Sequence, residues 1–240
     1  VLHSALTAAG IRGIVFDKDG TLIRFEETWT PAFRASAEHL ARELGQPDLA
    51  EEMMVAGGWC PRTRRILPGT ELASGTTDAV ADLWRAVAPE LPAPDTLIPW
   101  LDAYWHARGM ENLTPVDPLD DLFIRLRAED IHCALATNDS EAAARATAER
   151  LGIAPHLSAT VGYDSGHGAK PAPGMIRAVQ AQWGLPPEHT AMIGDSPADL
   201  LAGRAAGCGL VIGVLSGASD RSVLEPLADL VLADIHGLLA

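Results

Sequence analysis

Ile131-His-Cys-Ala-Leu-Ala-Thr137 is a short apolar run, and the alanine-rich stretch Ser140–Leu151 follows it and stops at Gly152. The run has the length of a buried strand. The stretch after it has the length and composition of a helix, and a glycine is where a helix most readily ends. The same alternation continues downstream. Ala159–Val161 reads as a strand, Pro173 to Trp183 as a helix, Thr190–Gly194 as a strand, and Pro197–Ala206 as a helix closed by Gly207. Leu210–Val214 and the weaker Leu230–Leu232 complete the series, and Gly13–Phe16 matches them in character. Pro173 and Pro197 each suit a first helical turn, where the missing N–H costs nothing. Short apolar strands separated by helices predict a Rossmann-like α/β core with a parallel sheet covered on both faces.

Between Phe25 and Leu113 the texture changes. Thr30-Pro31 reads as the opening of a helix that runs to Gly45, with Phe33, Ala37, Leu40, Ala41 and Leu44 along one stripe. Asp48–Val55, Thr77–Val87 and Asp95–Ala107 read as further helices. Trp59 to Gly75, rich in Gly, Pro and Arg, reads as a loop or hairpin. The expected organisation is an α/β domain made of residues 1–24 and 114–240, with a mostly helical insert of residues 25–113 after the first strand.

The chain has 240 residues, 48% hydrophobic and 21% charged, which suits a folded enzyme rather than a disordered chain. Its formal net charge of −14 argues against nucleic acid or an anionic membrane surface as partner. An anionic substrate is still compatible, because a dication, a lysine and helix N-termini can invert the field inside a cleft. Cys60, Cys133 and Cys208 are odd in number and far apart, and read as free buried thiols of a reducing, cytoplasmic protein. No apolar run approaches the roughly 18 to 20 residues of a membrane span. The opening Val1–Thr7 lacks the basic and apolar regions of a signal peptide, although the chain does not begin with methionine. Oligomeric state is not legible.

Chemistry concentrates at four places. Val15-Phe16-Asp17-Lys18-Asp19-Gly20-Thr21-Leu22 ends a strand in two carboxylates spaced i and i+2, followed by Gly20 and Thr21. Ligands bind at the carboxyl ends of parallel strands, and two adjacent acids are best tolerated with a cation between them. Leu135-Ala136-Thr137-Asn138 ends a second strand in a hydroxyl and an amide before a helix N-terminus, a plausible phosphate cradle. Gly168-Ala169-Lys170-Pro171-Ala172-Pro173 places one lysine in a rigid loop before a helix. Ile193-Gly194-Asp195-Ser196-Pro197-Ala198-Asp199 ends a third strand in an acid, with Asp199 one turn further on. Taken singly, each has a plain structural alternative: a turn, a helix cap, a solvated lysine, a capping aspartate.

In this order the four segments resemble those of the haloacid dehalogenase superfamily, over residues 14–22 and from about 115 to the end. The stretch from Gly194 to Cys208 and the later Gly213–Gly217 look like its phosphoglycolate-phosphatase branch, whose helical cap occupies the position of the insert. The resemblance implies a Mg²⁺-dependent phosphatase acting on a small phosphorylated metabolite. Asp17 would be the nucleophile that becomes an aspartyl phosphate, and Asp19 the general acid and then base. Asp17, the backbone carbonyl of Asp19, and Asp195 would hold the metal. Thr137, the backbone around Asn138, and Lys170 would bind the phosphoryl oxygens, with Gly20, Thr21 and Asp199 in support.

Lys18 is expected to alternate away from both aspartates and to carry no catalytic meaning, and His167 to be a solvated loop residue. Trp59, Arg62, Arg64 and Arg65 form a basic–aromatic cluster in the insert. It reads either as a solvated turn with Trp59 packed beneath it or as a specificity segment lowered onto the leaving group. Trp84, Trp100, Tyr104 and Trp105 fit packing inside the insert. A phosphosugar mutase using the same two aspartates is a competing reading, and a catalytically dead binding protein a more distant one. A C–halogen dehalogenase fits less well, since those branches lack an acid at the position of Asp19.

Overall fold

The computed structural model describes residues 4–116 and 118–239. Residues 1–3, part of the opening read as lacking a leader, lie outside the described residues. In chain order the elements are α1 (Ser4–Ala8), β1 (Gly13–Phe16), α2 (Phe25–Glu43), α3 (Leu49–Gly57), β2 (Trp59–Cys60), β3 (Arg65–Ile66), α4 (Glu71–Ser74), α5 (Thr77–Val87) and α6 (Pro94–Glu111). There follow α7 (Asp120–Ala128), β4 (His132–Ala136), α8 (Glu141–Arg150), β5 (Ala159–Val161), α9 (Gly174–Trp183), β6 (Thr190–Gly194), α10 (Pro197–Ala206), β7 (Leu210–Val214), α11 (Arg221–Leu224) and β8 (Leu230–Leu232). Residues 1–24 and 115–240 make one compact unit and residues 25–114 a second.

In the first unit six strands form one parallel sheet in the order β5-β4-β1-β6-β7-β8. Side chains alternate between two separate cores. Ile14, Phe16, Cys133, Leu135, Ala191, Ile193 and Ile212 face one way, against Leu122, Phe123 and Leu126 of α7. Val15, Ala134, Ala136, Met192 and Val211 face the other, against Met175, Ile176 and Val179 of α9 and Leu200 and Ala202 of α10. A two-residue period on a sheet buried on both faces explains why these strands read as unbroken apolar runs.

The sheet order also locates the site. β1 lies at the centre, paired in register with β4 through Phe16↔Leu135 and with β6 through Phe16↔Ile193. From β1 the chain passes to β4 and β5 on one side, then returns to β6, β7 and β8 on the other. That reversal opens a crevice at the carboxyl ends of β4, β1 and β6. Residues 17, 137 and 195 each come next after one of these three strands.

In the second unit α2, α3, α5 and α6 surround Phe33, Ala37, Trp84 and Trp105, all buried. The Phe33 and Trp105 rings meet edge to face at 4.9 Å, as do Trp84 and Trp105 at 5.8 Å. Three expectations are corrected. The helix expected to open at Pro31 begins at Phe25 and carries that proline in its interior. Packing of Phe25, Trp29 and Phe33 on one face outweighs the backbone hydrogen bond lost at Pro31. Trp100 and Tyr104 are half-buried, with Trp100 stacked on His39 and tilted against Tyr104, while Leu101 and Trp105, one position further round α6, are buried. The i, i+4 spacing puts the two pairs on adjacent faces, and only one of those faces is inside. Cys133 and Cys208 are buried free thiols, but Cys60 is only half-buried.

Trp59 to Gly75 contains a short antiparallel hairpin, β2 paired with β3, followed by the single turn of α4. Trp59 is buried beneath Arg34, whose guanidinium lies 4.7 Å from the ring centroid. Arg65 faces Glu26 at 3.6 Å, and Arg62 and Arg64 are exposed.

Candidate active site

Asp17 continues β1: its N–H donates to the Ile193 carbonyl at 2.8 Å, so β6 holds it directly. Its side chain is buried, with Oδ1 accepting from Lys170 Nζ at 2.6 Å and Oδ2 from Thr21 Oγ1 at 3.3 Å. Lys170, itself 3% exposed at the side chain, also donates to Asp199 Oδ1 at 2.5 Å and to the Ala136 carbonyl at 2.8 Å. One ammonium thus ties together the ends of β1 and β4 and the first turn of α10.

The loop carrying Lys170 is fixed by Asn138. Its Oδ1 accepts from the Lys170 N–H at 2.8 Å and its Nδ2 donates to the Lys170 carbonyl at 3.0 Å. The Asn138 side chain is therefore engaged with the lysine loop. Thr137 is buried, and its Oγ1 accepts from the Asp139 N–H at 3.1 Å.

Asp195 follows β6 and is 2% exposed. Its Oδ2 accepts from the Ala218 N–H at 2.9 Å, and the surrounding backbone closes tightly on it. A Cβ on Gly217 would stand 1.8 Å from that oxygen, and one on Gly20 would stand 2.5 Å away. Gly20 has φ +82° as well, so both space and backbone conformation call for glycine there. Asp199 belongs to a capping box at the start of α10, its Oδ2 accepting from Ser196 N and Oγ at 3.0 and 2.6 Å. With Oδ1 on Lys170 and Oδ2 on Ser196, Asp199 is occupied by holding its neighbours.

Candidate ligand atoms of Asp17, Asp195 and Asp199 all lie within 4.8 Å of one another, and all three residues are buried. Three carboxylates beside one ammonium leave an excess of negative charge in a low-dielectric place. Burial, followed by the charge of Asp199, pushes Asp17 up to about 7. Burial, followed by the charges of Asp17 and Asp199, holds Asp195 well above the usual carboxylate range. An all-oxygen acidic set of this kind fits a hard dication such as Mg²⁺, which would relieve the repulsion that raises both groups. The family model of haloacid dehalogenase-like hydrolases matches residues 11–207, which span every one of these groups.

The chain belongs to the haloacid dehalogenase-like hydrolase family. Within it, the phosphoglycolate phosphatase of Chromobacterium violaceum is 33% identical over 235 residues, 95% of each chain. The phosphoglycolate phosphatase of Escherichia coli K12 is 27% identical and covers 95% of this chain and 91% of that protein. Among solved structures, a predicted phosphoglycolate phosphatase of Haemophilus somnus superposes with a TM-score of 0.70 at 20% identity, over 96% of this chain and 97% of the other. A Thermotoga maritima protein provisionally named a β-phosphoglucomutase superposes at 0.68 and 20% identity, over 95% and 97%. At such identities these two structures speak for the haloacid dehalogenase fold. The chain is an enzyme, a hydrolase of the phosphatase type.

The structure brings Asp17, Thr21, Lys170, Asp195 and Asp199 into one cluster, and seats Asn138 on the lysine loop. Asp19 is partly exposed, with 19% of its side chain open. Lys18 is corrected: its side chain is fully buried, and its Nζ lies 2.9 and 2.8 Å from the two Asp19 oxygens. Strand alternation ends at Phe16. From there the N–H groups of Thr21, Leu22 and Ile23 all turn back to the Lys18 carbonyl, so a period of two no longer says where a side chain points. Asp139, which Lys18 also meets at 2.9 Å, was missed in the sequence, as was the Ala218 N–H. An acid directly after Thr137-Asn138 was the available signal for Asp139; the bond from residue 218 had none. His167 is exposed.

Proposed function

We propose that this chain hydrolyses a small phosphomonoester, phosphoglycolate being the leading candidate, through an aspartyl phosphate on Asp17. The observation that carries the proposal is the approach of Lys170 Nζ to within 2.6 Å of Asp17 Oδ1, at the carboxyl end of the central strand. The names shared by the curated relatives support the substrate class.

Asp17, Asp195 and the backbone carbonyl of Asp19 would hold Mg²⁺, which screens the repulsion between the attacking carboxylate and the phosphate and keeps Asp17 ionised at neutral pH. Thr21 and Lys170 fix the Asp17 carboxylate, so one oxygen is presented to phosphorus in a single orientation. Thr137, the backbone around Asn138 and the Lys170 ammonium receive the equatorial oxygens. Asp19 gives a proton to the leaving oxygen as the P–O bond breaks, then takes one from the water that attacks the acyl phosphate. Asp199 and Asn138 keep Lys170 in place. Residues 25–113 are proposed to serve as the helical cap of this family, with Trp59, Arg62 and Arg65 as its candidate specificity segment.

The test is phosphate release from a panel of phosphorylated metabolites that includes 2-phosphoglycolate, with Mg²⁺ and again with excess chelator. Release that chelator removes and Mg²⁺ restores, with Ca²⁺ a poor substitute, is the expected result. No release from any ester sinks the proposal, and full activity in chelator sinks the metal. Transfer back to a sugar instead of to water would mark a mutase.

A further inference from the structure

Lys18 is a charged side chain with no exposure at all, placed between the two aspartates of the site's first segment. Its Nζ is 2.9 Å from Asp19 Oδ1, 2.8 Å from Asp19 Oδ2 and 2.9 Å from Asp139 Oδ2. Burying a lysine is costly unless it is paired, and this one is paired twice across two strand ends. Asp139 is fixed in turn, since its Oδ1 accepts from the Ser140 N–H at 2.7 Å and its own N–H donates to Thr137 Oγ1 at 3.1 Å. The chain from Thr137 through Asp139 and Lys18 therefore ends on the Asp19 carboxylate. About a fifth of the Asp19 and Asp139 side chains is exposed, at 19% and 20%, whereas Lys18 is sealed behind them. A side chain whose purpose was surface charge would not be buried under its partners.

We infer that Lys18 is a positioning residue: it clamps the Asp19 carboxylate and anchors it through Asp139 to the end of β4, so that the acid meets the leaving oxygen in one rotamer. This role rests on the phosphatase reading above. When one Asp19 oxygen carries the proton to be delivered, the other continues to accept from Lys18, and the plane of the carboxyl stays fixed. As the P–O bond breaks, its electron pair goes to the leaving oxygen and that oxygen takes the proton from Asp19. Lys18 transfers nothing.

The test compares two esters with Mg²⁺ present: p-nitrophenyl phosphate, whose leaving group departs without protonation, and 2-phosphoglycolate, whose alkoxide needs it. With the positioning role, Lys18→Met lowers kcat/KM for the alkyl ester by about tenfold more than for the aryl ester, a fraction of what a general acid supplies. Asp139→Asn shifts the same ratio in the same direction by less. An equal loss on both esters, or no loss, overturns the role, because a merely structural lysine would not distinguish leaving groups. Should Lys18→Met not fold, Asp139→Asn carries the same expectation and the same refutation. Wild-type protein that turns over neither ester overturns the phosphatase reading itself, whereas wild-type turnover with an unchanged ratio in the variants overturns only Lys18.

Discussion

Lys170 Nζ lies 2.6 Å from Asp17 Oδ1 although 153 residues separate them, and both groups are buried. The pairing is a product of the topology. β1 is the central strand, Lys170 precedes the helix that packs beneath β1 and β4, and a parallel sheet delivers all of its strand ends to the same edge.

Removing the ammonium leaves two buried carboxylates facing each other. Lys170→Met is expected to cost about 3–5 kcal/mol in the metal-free protein, as for other buried pairs that lose one partner. Urea denaturation with and without Mg²⁺ checks this, and the cation is expected to recover part of the loss while activity stays low. A variant as stable as the parent without metal would show that the pair contributes nothing.

The raised acids make a prediction about pH. In the metal-free fold Asp17 titrates at about 7 instead of near its ordinary 3.8, so between those values the folded state binds more protons than the unfolded one. The site's contribution to stability is then present at low pH and lost as pH rises through about 7. Mg²⁺, which binds the ionised acids, should raise Tm more at pH 8 than at pH 5, and Asp17→Asn should flatten the metal-free dependence. A Mg²⁺-induced shift equal at both pH values would contradict this.

Gly217 leaves no room for a side chain beside Asp195, since a Cβ there would stand 1.8 Å from Oδ2. Gly217→Ala must displace that carboxylate or break its bond from Ala218. The expected result is a Mg²⁺ requirement raised by about tenfold or more, in the range found when groups that orient metal ligands are removed. Activity followed against Mg²⁺ concentration gives the answer, and an unchanged half-saturating concentration counts against Asp195 as a ligand.

Much of the α/β architecture was legible because its strands are buried on both faces and so read as plain apolar runs ended by Asp17, Thr137 and Asp195. What the residues could not show was contact. Lys18 lies two residues past the end of β1, and period-two reasoning sent it away from the aspartates. A turn whose N–H groups fold back on its carbonyl sent it onto Asp19 instead. Pro31 misled in a different way, because a local preference for helix starts yielded to tertiary packing of Phe25 and Trp29. The Asp195 contact from Ala218 depends on a loop 23 residues further on, which no local pattern encodes.

The most direct measurement is phosphate release from p-nitrophenyl phosphate by Asp17→Asn beside the parent protein, both with Mg²⁺ and both checked for a cooperative melt. With Asp17 as the atom that bonds to phosphorus, the variant keeps its fold and loses activity by a factor on the order of 10⁴ or more, as nucleophile replacements do. Turnover near that of the parent would contradict the covalent mechanism outright.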